Sequence, residues 1–321
     1  MSVLELRGLR TSFVTPAVTV HALHDLSLSV ARGEILGLVG ESGSGKSLTG
    51  FSINRLISPP GRVTAGEVRL HGQNILDLSE GDMRRLRGRK IAMIFQDPMM
   101  TLNPVLRIGT QMRDALLAHE RLDRAEVRRR SIAALDEVGI PAPEDRLTTY
   151  PHQLSGGMRQ RVAIAIALLH QPDLIIADEP TTALDVTIQG QILALVQRLC
   201  RERGTALIWI SHDLAVVAGL ADRIAVMYAG RIVEEGPVDA VLDAPAHPYT
   251  AGLIASVPVP GQRGGRLQQI PGRMPALTDL PEGCAFAPRC PRATPACSTM
   301  PALTPVNEAR AVRCIHPLEA T

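Results

Sequence analysis

Apolar residues follow two patterns along the chain, and each pattern predicts secondary structure. Leu26, Leu28 and Val30 alternate with polar neighbours, which is typical of a strand with one buried face. Short continuous apolar runs predict buried strands at residues 34–39, 91–95, 174–177, 206–210 and 223–228. Apolar residues at helical spacing predict helices at 48–57 and 188–199, with a mostly helical block at 104–170.

The order of these segments predicts an α/β fold with a mainly parallel sheet that helices cover on both faces. A helical block at about 97–171 interrupts the alternation, and we expect it to form an inserted subdomain. After about Pro258, proline and glycine become frequent and periodicity is lost, which indicates a domain boundary. The predicted domains are therefore residues 1–258 and a small loop-rich C-terminal tail at 259–321.

Composition narrows the class of protein. Hydrophobic residues make up 45% of the 321 residues, which is enough for a substantial buried core. The formal net charge is +2, so no strongly basic field indicates nucleic acid as a partner. No segment reaches the ~18 consecutive apolar residues that cross a bilayer. We expect the chain to remain in the cytosol and to reach a membrane only through a partner.

A glycine-rich segment lies between the predicted strand at 34–39 and the predicted helix at 48–57. It fits G-x-x-x-x-G-K-[ST] with the residues Gly40, Glu41, Ser42, Gly43, Ser44, Gly45, Lys46 and Ser47. Backbone N–H groups in such a loop surround the phosphates of a nucleotide, and the following helix adds a favourable dipole. Lys46 would contact the β- and γ-phosphates, and Ser47 would bind Mg²⁺. An ordinary glycine-rich turn is the alternative interpretation.

Two acidic residues follow the predicted strand at 174–177. Asp178 stands at the carboxyl end of that strand, which is where open α/β sheets bind ligands. We expect Asp178 to hold Mg²⁺, directly or through water. Glu179 is then the candidate general base for the attacking water. The alternative is a strand end with two solvated acids, which the neighbouring glycine-rich loop makes a poorer interpretation.

The segment Leu154-Ser-Gly-Gly-Met-Arg-Gln160 resembles the signature sequence of ABC ATPases. Ser155, Gly156 and Gly157 begin a predicted helix, so its first N–H groups are free to bind an anion. The resemblance implies that this signature closes over the γ-phosphate of an ATP that is bound to a partner subunit. It also implies a P-loop NTPase of the ABC type, with two ATPs held between two such subunits.

Three further sites match the family by their position. Gln96 is similar to the glutamine that senses Mg²⁺ and the attacking water, which gives it both a catalytic and a metal-binding role. The segment Ala183-Leu-Asp185 resembles the D-loop, which crosses the dimer interface. His212 resembles the switch histidine that contacts the γ-phosphate, although a lone histidine is usually structural. Phe13 is a candidate for stacking on adenine, and its alternative role is simple packing.

Several longer strings resemble the ATP-binding subunits of oligopeptide and dipeptide permeases: 95–98, 102–104, 150–157, 184–189 and 247–250. The resemblance implies a second, often non-identical ATPase subunit, two integral membrane subunits and an extracytoplasmic substrate-binding protein. It places the chain at the cytoplasmic face of the membrane. Relatives that carry nickel, glutathione or other small solutes are an alternative. A non-transport ABC protein is less favoured, because the chain shows neither a tandem cassette nor a long coiled coil.

Four of the five cysteines crowd into the tail, at Cys284, Cys290, Cys297 and Cys314. In a reducing cytosol such a cluster indicates metal ligation more than disulfides. Four thiolates fit a [4Fe–4S] cluster or a zinc ion. The resemblance to one of the two ATPase subunits of peptide permeases favours the iron–sulfur cluster as a structural clamp. Zinc, thiols without a metal and a redox-sensing cluster are the alternatives. Cys200 is expected only to pack in a helix.

Overall fold

The computed structural model describes residues 2–182, 184–257 and 269–319, and the strands and helices named here belong to those residues. The strands are β1 (Ser2–Val14), β2 (Thr19–Ala31), β3 (Ile35–Val39), β4 (Gly61–Leu70), β5 (Gln73–Asn74), β6 (Ile91–Ile94), β7 (Leu174–Asp178), β8 (Ala206–Ser211), β9 (Arg223–Tyr228), β10 (Arg231–Pro237), β11 (Thr304–Asn307) and β12 (Arg310–Val312). The α-helices are α1 (Lys46–Asn54), α2 (Glu80–Leu86), α3 (Ile108–Leu117), α4 (Arg124–Glu137), α5 (Pro143–Arg146), α6 (Gly156–Leu168), α7 (Val186–Arg203), α8 (Leu214–Leu220), α9 (Val238–Asp243) and α10 (Pro248–Ala255).

The chain forms two compact units. The first unit contains the described residues within Met1–Val3, Val30–Glu34 and Asp77–Ile208. The second unit contains the described residues within Leu4–Ser29, Ile35–Leu76 and Trp209–Thr321. Each unit is assembled from segments that are distant in sequence, so local pattern alone does not define it.

Parallel strands form the sheet of the first unit. β6 pairs with β7 in parallel from Ile91 opposite Leu174 to Ile94 opposite Ala177. Every residue of β7 is buried, because a parallel strand has neighbours on both faces. β8 begins beside β7, where the N–H of Ala206 donates to the carbonyl of Asp173 at 2.9 Å. The buried strands predicted from the apolar runs are therefore confirmed in this unit.

The segment between β6 and β7 is helical, as its periodicity predicts. On α3 the fully buried residues Ile108, Met112 and Leu116 recur every four positions, so one stripe of the helix packs inward. α3 contacts α4 and α6, and α4 contacts α6. Asp123 caps the N-terminus of α4 by accepting from the N–H of Glu126 at 2.8 Å. The proposed limits of this subdomain, residues 97–171, stay a prediction.

An antiparallel sheet in the second unit differs from the mainly parallel arrangement predicted from the sequence. Its strand order is β2-β1-β4-β5, and β1 pairs antiparallel with β4 from Leu4 opposite Leu70 to Phe13 opposite Gly61. The prediction of a mainly parallel sheet was wrong for these strands. A half-buried strand alternates in the same way whether its neighbour runs parallel or antiparallel, so periodicity does not reveal direction.

A second sheet in this unit contains strands from distant parts of the chain. β3 pairs in parallel with β9, whereas β9 with β10, β10 with β12 and β12 with β11 are antiparallel. β11 and β12 come from the tail, where no strand was predicted because both strands are very short. The boundary predicted at about Pro258 lies outside the described residues, and the division at that point stays a prediction.

A buried ion pair fixes the tail strand β12 beside β10. The carboxylate of Glu234 is fully buried and accepts from the Nη2 and Nε atoms of Arg310 at 2.6 and 3.1 Å. It also accepts from the backbone N–H groups of Ala246 and His247, both at 2.8 Å. Arg310 donates in addition to the carbonyl of Ala244. Because four donors surround one carboxylate, its negative charge is fully compensated inside the protein.

Candidate nucleotide site

The glycine-rich loop of the second unit joins the fully buried strand β3 to helix α1, as the motif requires. Gly45 caps α1 in a left-handed conformation with φ of 106°. Gly40 has φ of 154°, and a Cβ there would overlap the carbonyl oxygen of Met227. Only glycine fits both constraints, so the backbone can approach a ligand closely. The loop therefore presents N–H groups at a helix N-terminus, which is an anion-binding arrangement.

The side chains of this loop are consistent with phosphate binding. The Nζ atom of Lys46 donates to the carbonyls of Gly40 and Glu41 at 2.8 and 3.0 Å, so its ammonium group lies along the loop. Lys46 is only 4% exposed. Among the described residues, Ser44 Oγ is buried without a hydrogen-bond partner. A buried ammonium and a buried hydroxyl at a helix N-terminus fit an anionic ligand.

The acidic pair lies at the carboxyl end of β7 in the first unit. Asp178 is the last residue of β7 and is 5% exposed. Glu179 follows with φ of 45°, a left-handed conformation that residues other than glycine seldom adopt. The Nε2 atom of Gln96 donates to Glu179 Oε2 at 3.3 Å. The structure thus brings together two of the three predicted catalytic residues, and strained backbone at that point is typical of functional sites.

Thr182 is a site residue that the sequence analysis missed. Its hydroxyl donates to Glu179 Oε2 at 3.1 Å, and its N–H donates to the carbonyl of Glu179 at 3.3 Å. The available signal was a hydroxyl three residues after the acid in a proline-containing turn. Two donors therefore orient the carboxylate oxygen Oε2, which holds Glu179 in one position for accepting a proton.

The signature segment begins helix α6 in the first unit. Ser155 is the N-cap, and its hydroxyl accepts from the N–H of Met158 at 3.3 Å. A Cβ on Gly157 would come within 2.7 Å of Ile188 Cγ2, so a larger residue there would shift α6 away from α7. Ser155 is exposed, and Gly156 and Gly157 are half-buried. The N-cap of this helix is thus exposed, as binding of an anion by the signature segment requires.

The remaining predicted residues are placed as follows. Ala183 of the D-loop lies outside the described residues, and Asp185 caps α7 by accepting from the N–H of Ile188 at 3.0 Å. His212 is exposed in the second unit between β8 and α8. Phe13 is half-buried at the end of β1, opposite Gly61 of β4. The roles predicted for these residues stay predictions.

The four tail cysteines line one small cavity of about 10 Å³ in the second unit. Among the described residues, however, no three His, Cys, Asp or Glu side chains are close enough together to hold a metal ion. Burial raises the pKa of the thiols of Cys284, Cys290 and Cys314. A cation would therefore be needed to stabilise them as thiolates. The donor set suits a soft metal centre, and metal binding stays a prediction.

The chain matches two known protein families. Residues 23–182 match the family described as "ABC transporter", and residues 233–297 match "Oligopeptide/dipeptide transporter, C-terminal region". The chain is 48% identical to the oligopeptide transport ATP-binding protein OppD of Escherichia coli, over 99% of this chain and 94% of that protein. The chain belongs to the oligopeptide/dipeptide family of ABC transporter ATP-binding proteins. It is an ABC-type ATPase.

Other relatives agree with this assignment. The chain is 46% identical to the dipeptide transport ATP-binding protein DppD of Escherichia coli, over 99% of this chain and 98% of that protein. Among solved structures, the dimeric bacterial ABC transporter cassette MJ0796 is similar with a TM-score of 0.66 and 30% identity, over 73% of this chain and 98% of that chain. The same cassette in a post-hydrolysis state with ADP and Pi gives a TM-score of 0.66 at 29% identity, with the same coverage. The expected ABC ATPase cassette fold is confirmed.

Proposed function

We propose that this ABC ATPase hydrolyses ATP to power the import of dipeptides and oligopeptides through a membrane permease. The observation that carries the catalytic part is the position of Glu179, which directly follows Asp178 and is oriented by Gln96 and Thr182. The match of residues 233–297 to the transporter-specific C-terminal region supports the peptide cargo. The related OppD and DppD proteins are named for oligopeptide and dipeptide transport.

In the proposed reaction, the loop from Gly40 to Ser47 holds the phosphates of ATP through backbone N–H groups and Lys46. Ser47, Gln96 and Asp178 would hold Mg²⁺, which would neutralise charge on the phosphates when bound. The carboxylate of Glu179 accepts a proton from the attacking water, and the water oxygen forms a bond to the γ-phosphorus as the bond to the leaving ADP oxygen breaks.

The remaining predicted residues complete a composite site between two subunits. Phe13 stacks on adenine, and His212 contacts the γ-phosphate. Ser155, Gly156 and Gly157 present the N-terminus of α6 to the ATP of the second subunit. Closure is driven because ATP binds the closed pair more strongly than the open pair. We propose a second, non-identical ATPase as that partner.

We propose that the chain works at the cytoplasmic face of the membrane, bound to two integral permease subunits and supplied by an extracytoplasmic binding protein. Exposed apolar side chains just after Gln96 support a docking surface: Met100 is 71% exposed and Val105 is 75% exposed. Among the described residues, no helix has both the length and the apolar character for crossing a membrane.

An uptake assay tests the cargo. The chain, its second ATPase and both membrane subunits are reconstituted in vesicles with the binding protein, and accumulation of a radiolabelled tripeptide is measured. We expect accumulation with MgATP and none with MgADP, because only ATP hydrolysis supplies the free energy. Uptake of nickel or glutathione without peptide uptake would contradict the peptide proposal and support the alternative cargo.

We also propose that Cys284, Cys290, Cys297 and Cys314 hold a metal centre, as their shared cavity and soft donors support. A [4Fe–4S] cluster is favoured over zinc because the chain belongs to the peptide-permease family. Such a group would cross-link the loop-rich tail and stabilise its fold.

Metal content tests this site without relying on activity. We expect anaerobically purified chain to contain stoichiometric iron, by elemental analysis and visible absorption, and Cys290→Ser to lose most of it. Cys200→Ala is the matched control, because Cys200 is buried in α7, where burial raises its thiol pKa to about 12. Stoichiometric zinc would contradict the iron–sulfur cluster and support the alternative zinc site. A wild-type chain that contained neither iron nor zinc would refute the metal site.

A further inference from the structure

Arg289 of the tail contacts the phosphate loop directly. Its Nη1 atom donates to Glu41 Oε2 at 2.7 Å, and its Nη2 atom donates to Glu41 Oε1 at 3.0 Å. The two residues are separated by 248 positions in the sequence. The side chain of Arg289 is 6% exposed and that of Glu41 is 28% exposed. A paired, two-bond contact of this kind fixes orientation as well as distance.

The guanidinium of Arg289 is itself held firmly. Its Nε atom donates to the carbonyl of Pro271 at 2.8 Å, and Nη1 also reaches the hydroxyl of Tyr228 at 3.3 Å. Arg289 is the last residue of a short 3₁₀ turn, and Cys290 follows it directly. The tail therefore supplies a rigid support, so its contact with the loop is not a mobile surface ion pair, which would contribute little.

Glu41 is held at every polar group that it has. Its carboxylate accepts from Arg289, its N–H donates to the hydroxyl of Tyr249 at 2.8 Å, and its carbonyl accepts from Lys46 at 3.0 Å. Tyr249 is fully buried against Tyr228 with ring centroids 4.6 Å apart. The backbone of the loop's second residue is thus fixed from outside the loop, by residues of β9, α10 and the tail.

We propose that Arg289 is a positioning residue that holds the phosphate loop, through Glu41, in the shape that binds nucleotide. The tail around Cys290 thereby becomes part of the control of ATP binding. This inference rests on the proposed role of residues 40–47 in phosphate binding. Because Lys46 bonds the same residue of the loop, a displacement of Glu41 would also move the ammonium group that meets the phosphates. Misplacement of such groups is costly in binding and catalysis.

A double-mutant cycle tests the proposal. The dissociation constant of MgATP is measured on the full chain for wild type, Arg289→Gln, Glu41→Ala and the double variant, and ATP turnover is measured in the assembled complex. We expect each single variant to weaken MgATP binding by about tenfold, as is typical of coupling between two sites. The double variant should be no weaker than either single variant, because both remove the same contact. Turnover at saturating ATP should change much less than affinity.

Controls separate positioning from loss of structure. Arg273→Gln removes an exposed arginine of the described tail and should leave the dissociation constant unchanged. Arg289→Lys keeps the charge but lacks the fork, so it should restore only part of the affinity. Glu41→Ala leaves the tail sequence intact and should keep the wild-type circular dichroism and metal content.

Several outcomes would overturn the inference. Wild-type affinity for MgATP in Glu41→Ala would overturn the inference even if Arg289→Gln failed to fold, because Arg289 is proposed to act on the phosphate loop only through Glu41. Additive losses in the double variant would do so as well, since they would indicate two independent structural effects. A wild-type chain that did not bind MgATP at all would instead refute the proposed function, so the two failures are distinguishable.

Discussion

Glu179→Gln is expected to lower ATP turnover of the assembled transporter by roughly 10²- to 10⁴-fold, the usual contribution of a positioned general base. Glutamine is nearly the same size and still accepts from Gln96 and Thr182, but its amide oxygen does not take up the proton of the attacking water. Binding of MgATP should remain close to wild type, because Glu179 is not proposed to hold the phosphates or Mg²⁺. Turnover is measured by phosphate release, and binding by nucleotide titration of the same preparation.

Glu202→Gln is the matched control, since it makes the same chemical change in the same unit. Glu202 pairs only loosely with Arg198, at 3.8 Å, and its side chain is 56% exposed. We expect its turnover to equal that of wild type. Wild-type turnover in Glu179→Gln would exclude Glu179 as the base and would require another proton acceptor.

Arg310→Met is expected to lower the free energy of unfolding by roughly 3–5 kcal/mol, the usual cost of leaving a buried charge without its partner. The carboxylate of Glu234 would keep two backbone N–H donors but lose the positive charge that compensates it. Methionine matches much of the volume of arginine, so the loss would come mainly from charge and not from a cavity. Chemical denaturation is followed by the fluorescence of Trp209, the single tryptophan.

The double variant Arg310→Met with Glu234→Gln should recover part of this loss, because the buried group is then neutral and its amide oxygen still accepts from one of the two N–H donors. The control is Arg113→Met, which removes an exposed arginine that pairs with Asp114. That change should cost no more than about 0.5 kcal/mol. Equal stability of Arg310→Met and Arg113→Met would contradict the importance of the buried pair.

The sequence predicts best where local pattern and chemistry coincide. Gly40 and Gly45 were predictable from the phosphate-loop motif, and the strand before them shows as a continuous apolar run. Helices α3 and α4 were predictable because their buried residues recur at helical spacing. Asp178 and Glu179 could be placed at a strand end because they directly follow a continuous apolar run.

Contacts between distant segments could not be read from local pattern. The pairing of β12 with β10 depends on a strand of three residues, which is too short to show alternation. The contact of Arg289 with Glu41 joins residues 248 positions apart, and each is an ordinary charged residue in its local sequence. The left-handed conformation of Glu179 is likewise invisible, because the surrounding fold and not the residue type imposes it.

The separation of Glu234 from Arg310 has a consequence for how the protein is made. The two residues are 76 positions apart, so at a synthesis rate of about 5–20 residues per second the arginine is added about 4–15 seconds after the glutamate. During that interval the outer edge of β10 has no neighbour from β12, and an edge of this kind can pair with other chains. The nascent chain therefore passes through a stage at which β10 is an unpaired edge strand, and chaperones that cover this edge would favour folding over aggregation.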